Sequence, residues 1–442
     1  MGRLEIRPFG PHDDVDAELD LARRAFGPIS ASARPRSVAS LQASVDAGQI
    51  IGAFDGGRLI GSARYHSMRQ WWHGRSMPMA GVAGVKVAPE ERGRGVGTAL
   101  MSRILTEISE RGYPVSALYP TTAPLYRSVG WEFAGREYET VLPARSLTAL
   151  VSAAEDGGEP KLRRAVPADN AAIVEVLGRV HEALRDCGPN TRDPGSLTRW
   201  LDDEDQFAYL ADDGFLSYRW ANGHDDIRVD LLAAASARTA RAFWQILASH
   251  ATMAKRVLAY LAPDDPVSWL TRDPVAATRV RHTWMLRLVD APAAIAARGY
   301  PAAASLSVHL EITDQAIPAN AGRWMLEVSG GAGRLVRTGE AGARPGSAAG
   351  HDRGSALRLG IGGFAALFAG VPLGTLRLAG LAAGGGSVGG SPAGGSRAGG
   401  SRAGGSRAGG SSAGGSSAGG SSADDEALDC AFAGPAFMID YF

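Results

Sequence analysis

Between Val85 and Met101 the chain reads VKVAPEERGRGVGTALM: an apolar strand-like run, then Arg92-Gly93-Arg94-Gly95-Val96-Gly97, then the start of an amphipathic helix. A glycine-rich turn that opens a helix exposes several backbone N–H groups beside the positive end of the helix dipole. Without Cβ atoms in the way, anionic oxygens can come close. Such a turn suits a pyrophosphate. It is not the dinucleotide pattern G-x-G-x-x-G, because Leu100 stands where the third glycine belongs. Nor is it a Walker loop, since no Lys-Ser or Lys-Thr follows. The competing reading is a tight turn whose arginines meet only solvent.

Two other stretches could do chemistry. LYPTTAPLYRSVGWEFAG, from Leu118 to Gly135, places Tyr126 ahead of the pair Gly130-Trp131. At the far end, GPAFMIDYF (Gly434 to Phe442) turns apolar again after a long Gly/Ser/Ala/Arg tract that can build no core. Chain ends normally fray, so an apolar end implies a docking place.

The elements around these stretches are mixed α/β. LEIRPF and IIGAFDGGRLIGSARYHSM read as strands, the second pair turning at Asp55-Gly56-Gly57. MAGVAGVKVAP is a strand, and GVGTALMSRILTEISERG a helix with Leu100, Ile104, Leu105 and Ile108 on one face and Gly112 at its end. VSALYP is a further buried strand, followed by a short helix near APLYRSVG. AAEDGGEP (153–160) is a polar break, after which KLRRAVPADNAAIVEVLGRVHEAL repeats the opening theme of LEIRPFGPHDDVDAELDLARRAF. The repeat predicts an internal duplication. WMLRL (284–288) opens a third section, in which the pentapeptide repeat from Gly384 to Ala423 reads as a mobile loop. The expected domains are therefore 1–148, 160–283 and 284–442.

Composition narrows the function. Formal charge is zero and there is no basic block, which argues against nucleic acid and anionic membranes. Cations are nearly all Arg, the lysines being Lys86, Lys161 and Lys255. Cys187 and Cys430 match no metal or redox spacing, so idle thiols in a reducing cytosol and no metal are expected. The N-terminal residues carry neither an apolar signal core nor a myristoylation pattern, Ile6 standing where Ser or Thr is needed. Leu359 to Leu376 is uncharged, but its five glycines and Pro372 divide it into strand, short helix and turn, so it reads as soluble core rather than a membrane span.

With strand before and helix after, R-x-x-G-x-G resembles the acetyl-CoA loop of the GNAT N-acetyltransferases, and Tyr126 with Gly130-Trp131 resembles their segment bearing a catalytic tyrosine. In the central section, IRVDLLAAASARTARAFWQILASH (227–250) is the counterpart of the cofactor helix, but its turn has no glycine. It reads as a GNAT-shaped domain that has lost its cofactor. A functional GNAT, a degenerate one and a third section resembling sterol carrier proteins together resemble the Eis-type (enhanced intracellular survival) acetyltransferases. WMLRLVDAPAAIAARGY (284–300) looks like the first strand and helix of that third domain, and LRLGIGGFAALFAGVPLGTLRLAG (357–380) like its strand-helix-turn-helix portion.

The resemblance implies transfer of acetyl from acetyl-CoA to a primary amine, either an aminoglycoside-like polyamine or a lysine side chain. It implies backbone contacts to pantetheine from Val85, Lys86 and Val87. Pyrophosphate contacts would come from Arg92, Gly93, Arg94, Gly95, Val96, Gly97 and Thr98, while Thr121 and Thr122 would lie near the acyl arm. Tyr126 would be the general acid for the departing thiolate, or else a packing residue. The α-carboxylate of Phe442 would be the general base, ionised given a reference pKa of about 3.3–3.7; otherwise the last residues only fill a groove. A cytoplasmic homohexamer is implied as well. Tyr441 stands where the family has an acid, so an anionic acceptor pocket is not assumed; Asp440 and Glu132 are alternative partners for an amine, each read as solvated. The competing class is a non-enzymatic binder of lipid through the third domain.

Overall fold

The computed structural model describes residues 4–31, 33–150, 160–191, 194–272, 277–338, 356–385 and 423–439. Asp440, Tyr441, Phe442 and nearly all of the pentapeptide repeat lie outside the described residues.

Among the described residues, thirteen strands precede residue 290: β1 Leu4–Pro8, β2 Ile50–Asp55, β3 Arg58–Trp72, β4 Arg75–Val87, β5 Val115–Leu118, β6 Glu132–Pro143, β7 Arg163–Arg164, β8 Cys187–Thr191, β9 Phe207–Ala211, β10 Gly214–Ala221, β11 Asp226–Ala234, β12 Arg256–Tyr260 and β13 Ala277–Leu288. They join one sheet, ordered β1-β2-β3-β4-β5-β13-β6-β12-β11-β10-β9-β7, with β8 on β3. The order is palindromic about the junction of β13 and β6. Each half has one internal parallel pair, β4 with β5 and β11 with β12. The halves have exchanged strands: β13 pairs with β5, and β6 pairs with β12.

The duplication extends to side chains. Arg7 donates two hydrogen bonds to Asp13 at 2.6 and 2.7 Å, and Arg163 donates two to Asp169 at 2.7 Å each. In both copies the carboxylate also accepts a backbone N–H three residues upstream, Gly10 or Val166. One aspartate thus pins strand to helix entry in each half, because bidentate Arg–carboxylate geometry fixes direction as well as distance.

The third section adds β14 Leu306–Thr313, β15 Gly322–Ser329, β16 Ala332–Arg337, β17 Leu357–Gly360 and β18 Ala382–Gly384, in the order β16-β15-β14-β17-β18. The segment at 359–376 is core, as read: helix Ile361–Phe368 buries Phe364, Leu367 and Phe368 completely. Among the described residues no helix is long and apolar enough to cross a membrane. WMLRL departs from its reading, for it belongs to β13 in the long sheet rather than to the third section's own sheet. The physical reason is burial on both faces: Trp284 and Leu286 face the third section's core, while Met285 faces the first.

After helix Ala423–Ala431 the chain returns as β19, Phe437–Met438, parallel to β6 opposite Arg136 and Glu137. Two glycines clear its slot. A Cβ on Gly135 of β6 would strike the Ala436 carbonyl, and one on Gly188 of β8 would strike Phe437 backbone. Arg298, fully buried, sits against the rings of Trp72, Tyr300, Phe368 and Phe432 and donates to the carbonyls of Phe368 and Phe432. It fixes the returning arm to the first domain.

Candidate active site

The chain at Tyr119 leads into Thr121 of one recess, and the Tyr119 ring packs on His282 of a second. The first is made by strands that part. The β3–β4 register skips a residue where Gly84, at φ 60°, forms a bulge, and β4 pairs with β5 only from Met79 to Val82. Beyond Val82, β4 continues to Val87, whereas the chain leaving β5 turns into the short helix Ala123–Arg127. The backbone of Val85–Val87 therefore has no β5 partner and faces a cleft.

Loop Arg92–Gly95 closes one end of that cleft. Gly93 and Gly95 have φ of 79° and 78°, left-handed values that disfavour a side chain. Gly95 caps helix Val96–Glu110 with no side-chain hydrogen bond, so the first helical N–H groups point outward. A Cβ at Gly93 or Gly95 would meet nothing, leaving room in front of those donors. The cleft holds about 600 Å³ and is lined by Val85, Lys86, Val87, Arg92, Gly93, Gly95, Val96, Gly97, Thr98, Thr121, Thr122 and Tyr126. These are the residues named from the sequence, with Ala25, Phe26, Glu91 and Leu125 added. Uncapped N–H groups, open space and a helix N-terminus together fit a pyrophosphate.

Arg94 is the exception. Its guanidinium pairs with Glu91 and lies 3.6 Å from Asp55, so it braces the loop instead of lining the cleft. Arg58 also pairs with Glu91, and these hydrogen bonds hold that carboxyl below the usual carboxylate range. Lys86 lines the cleft, while its ammonium makes a buried ion pair with Glu18 at 2.5 Å. Desolvation pushes that ammonium's pKa down, with Glu18 opposing. The pair joins helix Val15–Phe26 to β4.

Tyr126 is 4% exposed and borders the same cleft. Its carbonyl accepts from the N–H groups of Val129 and Trp131, which makes the turn a closed unit. Gly130 is required there: φ is 93°, and a Cβ would collide with Arg287 and Ile361. Glu132 is not solvated as read. It is buried and accepts three hydrogen bonds from Arg127 at 2.7–3.0 Å, because β6 carries it under helix Ile361–Phe368.

The second recess is a cavity of about 380 Å³ between the two halves of the long sheet. Its polar lining includes Glu137, Asn190, Arg219, Arg228, Asp230 and His282; Trp200, Leu197 and Ile439 are among its apolar walls. Tyr119 packs edge-on to His282 and its hydroxyl meets the Met438 sulfur at 3.4 Å. His282 Nε2 is 3.7 Å from Glu137, and burial lowers the imidazole's pKa. None of these polar residues was legible as a site. They come from β6, β8, β10, β11 and β13, and their one sequence signal is a polar or charged residue inside a strand.

In the second half, helix Ala237–Ala248 is capped by Ser236, whose side chain accepts from Thr239 N–H. Where the first half leaves its helix N-terminus without a side-chain cap, the second uses Ser236 to cap the Thr239 N–H.

The comparisons agree with this division. The family model for an acetyltransferase (GNAT) domain matches residues 5–134, a second GNAT-domain model matches 188–288, and a sterol carrier protein domain matches 291–387. An uncharacterized N-acetyltransferase of Streptomyces griseus is 30% identical over 328 residues, covering 68% of this chain and 78% of that protein. N-acetyltransferase Eis of Mycobacterium tuberculosis is 29% identical over 311 residues, or 65% of this chain and 73% of Eis. The crystal structure of a GCN5-related N-acetyltransferase from Kribbella flavida superposes with TM-score 0.82 at 39% identity, covering 100% of this chain and 98% of that one. A glycine-loop cleft in the first of two fused GNAT halves, carried on a chain so similar to these enzymes, makes this protein an acetyl-CoA-dependent N-acetyltransferase of the GCN5-related family and of the Eis type.

Proposed function

We propose that the enzyme acetylates a primary amine by direct attack in a ternary complex, with acetyl-CoA in the glycine-loop cleft and the amine in the neighbouring cavity. The observation that carries the reading is that Tyr119 packs on His282 of the cavity while its own chain continues into Thr121 and Thr122 of the cleft. Acetyl-CoA supplies the acyl group as a thioester. Val85, Lys86 and Val87 would bind the extended arm through their backbone, the N–H groups of Arg92 to Thr98 the pyrophosphate, and Thr121 with Thr122 the region near the acyl group. Tyr126 would give its proton to the departing sulfur. The α-carboxylate of Phe442, through a water, would take the proton that an ammonium must lose before attack. In balance, a C–N bond forms and the C–S bond breaks; nitrogen gives up one proton to the base, and on to solvent, before attack and a second as the amide forms, and that second loss is matched by the proton reaching sulfur.

For the base, the support is the course of β19: Phe437 to Ile439 are buried and Ile439 forms part of the cavity wall. The acceptor classes named above, the homohexamer and the cytoplasmic location belong to the same proposal.

Release of free CoA thiol on mixing acetyl-CoA with a panel of primary amines tests the transfer. Silence across the whole panel from folded protein that binds acetyl-CoA would overturn it. Deleting Phe442 is expected to lower kcat at least tenfold, in the range of a lost acid–base group; an unchanged kcat would remove the base assignment. Gly95→Ala tests the loop. A side chain at φ 78° costs about 1–2 kcal/mol, and a loop that relaxes to avoid it loses its donor geometry. Acetyl-CoA Kd should rise roughly fivefold to thirtyfold, with little change in kcat at saturation. An unaltered Kd by calorimetry would count against the pyrophosphate role.

A further inference from the structure

The charges in the 380 Å³ cavity are not those of a site for a polycation. Asp230 is taken by Arg219, whose Nε donates to it at 2.8 Å, and Glu137 is beside His282 at the Tyr119 end. Arg228 is left over. It lies directly opposite Arg219 in the β10–β11 register, so two guanidinium groups share one edge of the cavity, and among the described residues Asp230 bonds to Arg219. Its Nε is buried without a hydrogen-bond partner, and no ion pair engages it among the described residues. Tyr260, next along the wall, is neutral: burial raises its phenol's pKa, with Arg228 opposing. A buried guanidinium nitrogen with no acceptor is costly, and the Arg228 side chain lines the cavity.

We infer that Arg228 is the anion-binding element of the acceptor site, and that the acceptor is an amine whose skeleton also carries a carboxylate. The inference rests on the acyl-transfer reading and names the substrate class of that same cavity. A planar guanidinium matches a carboxylate bidentately. The carboxylate would lie at the Arg228 end and the amine at the Glu137 end, beside Tyr119 and the cofactor cleft. Between them the walls Leu177, Leu197, Trp200 and Leu231 are apolar, which suits an aliphatic body. An aminoglycoside-like polycation would bring ammonium groups against Arg228 and offer it no acceptor, so this class of acceptor fits worse than an amino acid or short peptide presenting a lysine-like amine.

Three acceptors of one skeleton separate the readings: 6-aminohexanoate, 6-aminohexanamide and hexylamine, each assayed by thiol release and, with CoA bound, by calorimetric binding. The wild type is expected to use the carboxylate with at least tenfold higher kcat/KM than the amide, mainly through KM. Arg228→Ala should bring the carboxylate down to the amide's level, and Arg228→Lys should restore part of the preference, with acetyl-CoA Kd unchanged as the check on folding. Equal use of carboxylate and amide by the wild type, or a preference that survives Arg228→Ala, would overturn the inference while leaving acyl transfer intact. A polycationic aminoglycoside turned over more efficiently than 6-aminohexanoate would overturn it as well. Carboxylate-selective binding that needs Arg228, without thiol release from any acceptor, would instead keep the anion site and overturn the transfer reading.

Discussion

Tyr126→Phe is expected to lower kcat by about two to four orders of magnitude, the range for loss of a positioned general acid, while acetyl-CoA Kd moves by no more than about threefold. The substitution isolates one oxygen. The ring packs in the cluster that includes Leu118, Val129 and Trp131, and Phe preserves that contact. The carbonyl that holds the turn, bonded to Val129 and Trp131 N–H, is untouched. A structural role would therefore leave the rate nearly intact, whereas an acid role would not. A second readout distinguishes them further. With an acetyl thioester whose thiol is much more acidic than CoA, the leaving group needs less protonation, so the deficit of Tyr126→Phe should shrink. A variant that keeps kcat within threefold on acetyl-CoA, or one equally slow with both donors, would show that the phenol does not protonate the sulfur.

The other large effect expected is on folding. Arg287 is completely buried on β13 and donates to the carbonyls of Val129 and Leu288 and to both oxygens of Asp314, at 2.7–3.1 Å. Asp314, equally buried, also accepts from Ala316 and Ile317 N–H and from Asn320. This one guanidinium joins the long sheet, the turn after Tyr126 and the third section. Arg287→Ala leaves the Asp314 charge uncompensated, and breaking a buried pair in this way costs about 3–5 kcal/mol. The urea midpoint should fall accordingly. Arg287→Met with Asp314→Leu, which removes both charges, should recover most of the loss. Any of these variants that remains folded should also be slow, because Val129 loses the donor that holds the turn. A midpoint for Arg287→Ala equal to wild type would refute the account of how the three parts are tied.

The glycine loop and Tyr126 were legible for a local reason. Positive φ at Gly93 and Gly95, a helix with Leu100 and Ile104 on its inner face and a turn closed around Tyr126 are all decided within about twenty residues. So was the duplication, because Arg7–Asp13 and Arg163–Asp169 repeat at identical spacing. Two assignments went elsewhere. WMLRL is buried on both faces, Arg287 included, and such a strand carries no mark of the sheet it will enter. Glu132 carries a charge that normally means solvent, and only its pairing with Arg127 makes burial tolerable.

The amino-acid sequence alone, then, determines the glycine loop, the identity of the acid candidate, the loss of glycine from the second copy and the apolar character of the closing segment. The tertiary structure alone decides that β13 and β6 trade places, that Gly135 and Gly188 open a slot for β19, and that Glu137, His282 and Arg228 share one cavity. The reason is range. Those residues are brought together by strand register across separations of up to about 300 positions, and a slip of one residue would turn each of them to the opposite face of the sheet.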